Sequence, residues 1–190
     1  MSLTDQQLIR AFCDQNDTAA FGELVSRHQD RLINSLTRML GSYEEACDVG
    51  QEAFLQAFRK LHSFRRESQF YTWLFRIAMN KAISRKRKKK HNPASLESVR
   101  DARGDDAIDH NPDAKPAANL EREERQALVQ QALSSLSDEY RAIIVLQTID
   151  GMSYEEIATV LECPVGTVRS RLHRARMELR DHLDRLMADT

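Results

Sequence analysis

Glycine and proline are scarce, at six and four residues in a chain of 190, so a turn-rich β sandwich is not expected. Cysteine is scarcer still. Cys13, Cys47 and Cys163 are too few and too scattered for a disulfide framework, and the C-x-x-C, C-x-x-H and H-x-x-x-H spacings of common metal sites are absent. The six histidines, His28, His62, His91, His110, His173 and His182, stand at no recognisable catalytic spacing with Asp and Ser. No apolar run approaches the ~20 residues of a membrane span, and the start, Met1-Ser2-Leu3-Thr4-Asp5, has no signal-peptide pattern. A reducing cytoplasm is therefore the expected compartment. Neither a metal, a cofactor nor a small-molecule substrate is expected.

What is present is charge, unevenly placed. The net charge is only −1, but Arg85, Lys86, Arg87, Lys88, Lys89 and Lys90 follow one another without a break. Arg169, Arg171, Arg174, Arg176 and Arg180 form a second basic segment. Between them, residues 97–113 set Glu97, Asp101, Asp105, Asp106, Asp109 and Asp113 against Arg100 and Arg103 alone. Two basic blocks about an acidic spacer suggest a polyanion touched at two places. An isolated lysine-rich run is as often a solvated face.

The apolar residues recur at helical spacing. Phe21, Leu24, Val25, Leu32, Ile33, Leu36 and Leu40 share a helix face, with a start after Asp17 and a stop at Gly41. Ser42-Tyr43-Glu44-Glu45 reads as a capping box, leading into Val49, Ala53, Phe54, Ala57, Phe58 and Leu61. A further helix carries Phe70, Trp73, Leu74, Ile77 and Ala78 into the basic block. Residues 91–119 hold three of the four prolines and few large apolar groups, and read as a linker whose ends would lie ~30 Å apart on average. The fold is thus expected to be all-α: two small helical domains, 1–92 and 120–190, joined by a linker at 93–119.

In the second domain Leu128, Val129, Ala132, Leu133 and Leu136 define one helix, and Tyr140, Ile143, Ile144 and Ile149 another. The capping box Ser153-Tyr154-Glu155-Glu156 opens a short helix that Glu162-Cys163-Pro164 breaks. A long helix follows, with Val168, Leu172, Ala175, Leu179, Leu183 and Leu186 along one stripe. A short capped helix, a tight turn and a long amphipathic helix make a helix-turn-helix. At 100° per residue Thr167, Ser170, His173 and Arg174 point outward, with Arg169, Arg171 and Arg176 on the flanks. Arginine forks can read guanine edges while flanking arginines hold phosphates.

Two stretches of this half, GMSYEEIA at 151–158 and CPVGTVRSRL at 163–172, resemble region 4 of the extracytoplasmic-function group of the sigma-70 family, which binds the minus-35 promoter element. In the first half, DVGQEAF at 48–54 resembles the region 2.2 surface that grips the clamp helices of RNA polymerase. FRRESQFYTWLFRIAMN at 64–80 resembles region 2.3, which opens DNA and captures minus-10 bases. The resemblance implies an alternative sigma factor without catalytic activity. Its partners would be core RNA polymerase, promoter DNA and an anti-sigma factor, often membrane-bound in this group. It places polymerase binding on Asp48, Gln51 and Glu52. Minus-10 contacts fall to Phe64, Trp73, Arg76, Ile77, Asn80, Arg85, Lys86 and Arg87, and minus-35 contacts to Gly166, Thr167, Arg169, Ser170, Arg171, His173, Arg174 and Arg176. Periodicity puts Phe70 and Trp73 on the core stripe, whereas the resemblance points to Phe64 and Asn80 as the residues that touch a flipped base.

Three positions depart from the group's pattern. Arg66-Glu67 stands where Gly-Asp is frequent, Gly50 replaces a larger apolar residue, and Gln147 replaces an arginine that some relatives use on a phosphate. Two other classes compete. A helix-turn-helix regulator that never joins polymerase would leave the 48–52 surface and the aromatic loop unexplained. A serine recombinase would need a mixed sheet, for which the first half has no strand pattern.

Overall fold

The computed structural model describes residues 3–65, 67–91 and 116–188, with backbone only for 86–91 and 116–123. Every regular element among them is helical. Helix α1 (Asp5–Gln15), which the periodicity reading above does not include, opens with a reciprocal Thr4/Gln7 capping box. Helix α2 (Thr18–Leu40) has its Asp17 cap, whose carboxylate accepts from Ala19 N and Ala20 N, and ends where Gly41 turns left-handed. Helix α3 (Tyr43–Lys60) starts with the Ser42 hydroxyl accepting from Glu45 N. A 3₁₀ turn (Leu61–Ser63) leads to α4 (Phe70–His91).

The second half begins with α5 (Pro116–Ser135). Proline suits a first helical position because its missing N–H would have no partner there, so residues 116–119 of the expected linker are helical. The rest of that segment lies outside the described residues. Helix α6 (Asp138–Ile144) continues into one π turn (Val145–Ile149). The wider turn rotates the last residue out of phase with the stripe, which is why Ile149, expected in the core, is exposed. Val129 and Phe58 are also exposed, contrary to their place in the apolar pattern. Helix α7 (Tyr154–Leu161) carries the complete Ser153/Glu156 box, and α8 (Val165–Ala188) follows the turn. Glu162, in that turn, is left-handed at φ 51° without being glycine.

The two halves pack on each other, and buried residues from α1–α4 and α5–α8 form one continuous apolar core. Arg141 helps to join them. Its guanidinium donates to Leu133 O, Ser134 O and Leu136 O at the end of α5 and to Met39 O of α2, satisfying carbonyls that a helix end leaves open. Gly50 is buried on α3, and a Cβ built there would lie 2.5 Å from Ile33 Cδ1 of α2. The missing side chain is thus filled by Ile33: the departure permits a close helix contact.

Candidate functional site

Helix α3 presents Asp48 and Glu52 one turn apart on the same face, as their spacing requires. They are not bare. Arg85 of α4 donates to Asp48 Oδ2 at 3.1 Å and to Glu52 Oε1 at 2.8 Å, and Lys81 Nζ lies 3.5 Å from Glu52 Oε2. Arg85 holds the Glu52 carboxyl below the usual carboxylate range. Two residue sets expected to meet different partners therefore neutralise each other. All three side chains remain partly exposed, and such pairs are worth about 0–1 kcal/mol, so exchange for an outside partner costs little.

Beside this acidic face runs an apolar groove of about 990 Å³ between α2 and α3. Gln51, Leu55, Phe58 and Tyr43 line it together with Ile33 and Phe54, and Leu55 is 59% exposed. Sequence reasoning missed the groove, because Leu55 and Tyr43 lie off the apolar stripe that defines the core.

Just before α4, Phe64 packs tilted against Trp73 with ring centroids 5.0 Å apart, and Trp73 lies 6.0 Å from Phe70. Phe70 is buried; Phe64 and Trp73 are half-buried. Trp73, Arg76, Ile77 and Asn80 come together around a cavity of about 260 Å³. Ile77 itself is buried and forms its wall. Gln56, Lys60 and Ser63 from the end of α3 complete the lining. No motif had marked those three; they would have been found only by knowing that the end of α3 crosses the middle of α4. Lys86 and Arg87 lie outside the described side chains, as Arg66 lies outside the described residues.

In the second half, Arg169, Ser170, His173, Arg174 and Arg176 are exposed along α8, with Thr167 and Arg171 half-buried and Gly166 at the open start of the helix. Val168, Leu172 and Ala175 are buried behind them. The flanking arginines are steered by neighbours. Arg171 Nη2 lies 3.1 Å from Glu139 Oε2, Arg169 sits over the Tyr154 ring at 6.0 Å, and Arg176 Nη2 donates to Gln147 Oε1 at 2.7 Å. The glutamine that departs from the group's pattern thus orients an arginine of the exposed face. Among the described residues no group of His, Cys, Asp and Glu could hold a metal ion, and no helix is long and apolar enough to cross a membrane.

Comparison with known proteins gives the family. The family model for sigma-70 region 2 matches residues 24–92, and that for sigma-70 region 4 matches residues 120–179. The RNA polymerase sigma-H factor of Pseudomonas aeruginosa is 38% identical over 189 residues, covering 97% of this chain and 96% of the relative. The ECF RNA polymerase sigma-E factor of Escherichia coli K12 is 40% identical over 178 residues, covering 92% and 91%. Among solved structures, CnrH in complex with the cytosolic domain of CnrY aligns at a TM-score of 0.68 and 31% identity, covering 98% of this chain and 100% of that one. The sigma factor RpoE of Bartonella quintana, solved with the anti-sigma factor NepR, aligns at 0.67 and 27%, covering 86% and 96%. With both regions in order and such relatives along nearly its whole length, the chain belongs to the extracytoplasmic-function group of the sigma-70 family of sigma factors.

Proposed function

We propose that this protein is an alternative sigma factor that binds core RNA polymerase and directs it to specific promoters, with the work divided among three surfaces. Asp48, Gln51 and Glu52 of α3 dock on polymerase. Phe64, Trp73, Arg76, Ile77 and Asn80 take the minus-10 element, helped by Arg85, Lys86 and Arg87 on its phosphates. The exposed face of α8, from Gly166 and Thr167 through Arg169, Ser170, Arg171, His173, Arg174 and Arg176, takes the minus-35 element. The functional units are 1–92 and 120–190, with 93–119 between them. The protein catalyses no reaction of its own, works in the cytoplasm where polymerase is, and is held in check by an anti-sigma factor. RpoE of Bartonella quintana, whose fold it shares, was solved with the anti-sigma factor NepR, and CnrH with the cytosolic domain of CnrY.

The observation that carries this reading is the pairing, on one chain, of an arginine-bearing exposed helix with a pocket that has Trp73 in its wall. Unpaired bases stack on aromatic side chains for ~1–3 kcal/mol each, while arginine forks on an exposed helix suit base edges and phosphates in the major groove. A helix-turn-helix regulator would need the exposed helix and not the pocket.

The test is binding to core polymerase. Asp48→Lys/Glu52→Lys is expected to weaken it at least tenfold, about 1.4 kcal/mol, with helicity by circular dichroism unchanged. Because that variant also strands Arg85, Arg85→Gln serves as control: it leaves both carboxylates available and should bind as well as the parent or better. Equal affinity of the parent and the double variant would remove the docking assignment. No binding by the parent would favour the regulator that does not join polymerase.

A further inference from the structure

The acidic face of α3 and the basic flank of α4 interlock. Asp48 and Glu52 stand one turn apart on α3, and Lys81 and Arg85 stand one turn apart on α4 against them. Arg85 is forked between the two carboxylates, with Nη1 reaching Asp48 Oδ2 at 3.1 Å and Nη2 reaching Glu52 Oε1 at 2.8 Å. Lys81 Nζ lies 3.5 Å from the other Glu52 oxygen. Both terminal nitrogens of Arg85 are therefore committed, the pair with which a guanidinium grips a phosphate. No motif marks Lys81. Its place on α4 does: Ile77, Lys81 and Arg85 follow one another at four-residue intervals, a row of neighbours about 6 Å apart along the helix. The row begins at the pocket, where Ile77 lines the cavity with Trp73, Arg76 and Asn80. A nucleic-acid strand leaving the pocket along this row meets Lys81 first and Arg85 one turn later.

We propose that Lys81 joins Arg85 as a phosphate-holding pair for that strand, and that Asp48 and Glu52 are the pair's built-in counterions, given up when polymerase docks on the carboxylates. The proposal rests on the functional reading above. In the free chain the two carboxylates compete with phosphate for the same two cations. A cationic partner surface on Asp48 and Glu52 ends that competition. Docking then strengthens the hold on DNA, and DNA strengthens docking by the same factor, as linkage requires. The exchange is feasible because the four side chains are between 30% and 56% exposed, so water solvates whichever charge is released. A fully buried clasp would instead leave an unpaired charge in the interior and resist opening. Exposed pairs are weak, and two of them set a coupling of about three- to tenfold.

The experiment measures binding of a labelled single-stranded oligonucleotide of mixed sequence, by fluorescence anisotropy over a salt series, to the free full-length protein and to its holoenzyme. In the free protein, Asp48→Asn/Glu52→Gln is expected to bind about three- to tenfold more tightly than the parent. Its salt slope should steepen by about 0.7 for each phosphate gained. Removing two negative charges favours DNA in a general way as well, so the same change is made in a Lys81→Gln/Arg85→Gln background. There most of the gain should vanish, which a general charge effect would not do. In the holoenzyme, Arg85→Gln should flatten the salt slope more than it does in the free protein. Should the double neutralisation disturb helicity, Asp48→Asn alone, which frees one arm of Arg85, is expected to give a smaller gain of the same sign. An equal gain in both backgrounds, or equal losses from Arg85→Gln in free protein and holoenzyme, would overturn the proposal. The free-protein cycle involves no polymerase, so it decides the counterion pairing separately from core binding by Asp48→Lys/Glu52→Lys, which decides the docking reading.

Discussion

Asp150 and Glu52 show how one side-chain type is pushed in opposite directions by its surroundings. Burial holds the Asp150 carboxyl above its ordinary value of 3.8, against the downward pull of the Tyr71 hydroxyl, Ser35 and Arg31. The same burial, with Asp150 alongside, pushes the Tyr71 hydroxyl far up, so Tyr71 stays a donor at all working pH. Glu52 is drawn below its ordinary 4.5, first by its hydrogen bond from Arg85. Their linkage to stability therefore has opposite sign. The Asp150 contribution is fully present below 3.8 and is lost as pH rises through its raised folded value. The Glu52 contribution is present above 4.5 and is lost as pH falls through its lowered one. Carbon-13 carboxyl titration by NMR should find the Asp150 midpoint above 3.8 and the Glu52 midpoint below 4.5. In Arg85→Gln the Glu52 midpoint should return upward while that of Asp150 stays. Midpoints in the reverse order would mean that the Asp150 turn is solvated in solution.

At the scale of elements, α8 is where geometry separates reading from holding. Arg174 lies opposite the buried Val168, Leu172 and Ala175 and is exposed, so it can reach base edges. Losing a bidentate contact to guanine costs ~1–3 kcal/mol at one position. Arg176 is tied to Gln147 of the π turn, an orientation suited to a phosphate. In holoenzyme on a set of promoter variants, Arg174→Ala is expected to relax preference at one minus-35 position. Gln147→Ala, by loosening Arg176, should weaken all variants by a similar small factor. An Arg174→Ala variant that weakens every promoter equally would demote that residue to a phosphate contact. The positions of the exposed arginines were legible from the 100° step of the helix. Their steering by Glu139, Tyr154 and Gln147 was not, since those partners come from α6, the π turn and α7.

For the molecule as a whole, the two halves share one core and yet are joined by a stretch rich in proline and acid. Limited proteolysis of the free protein with a non-specific protease should cut first between residues 92 and 115, where large apolar groups are few and nothing in the sequence favours a packed element. Early cleavage within 20–80 or 130–180 would contradict the division at 93–119.

The sequence by itself determined what is local. Helix starts at Asp17, Ser42 and Ser153 and the stop at Gly41 follow from side-chain oxygens and a left-handed glycine acting within four residues, and the helix-turn-helix follows from periodicity plus one break at Glu162-Cys163-Pro164. The resemblance to sigma regions 2 and 4 could be read for the same reason, since both motifs are short contiguous stretches. Only the tertiary structure decided what depends on residues far apart in the chain. It paired Arg85 with Asp48 and Glu52, added Gln56, Lys60 and Ser63 to the pocket, and gathered Arg31, Tyr71 and Asp150, up to 119 positions apart, at one buried carboxylate. Hydrogen bonds and burial act over a few ångströms in space, and no one-dimensional pattern states which helices meet.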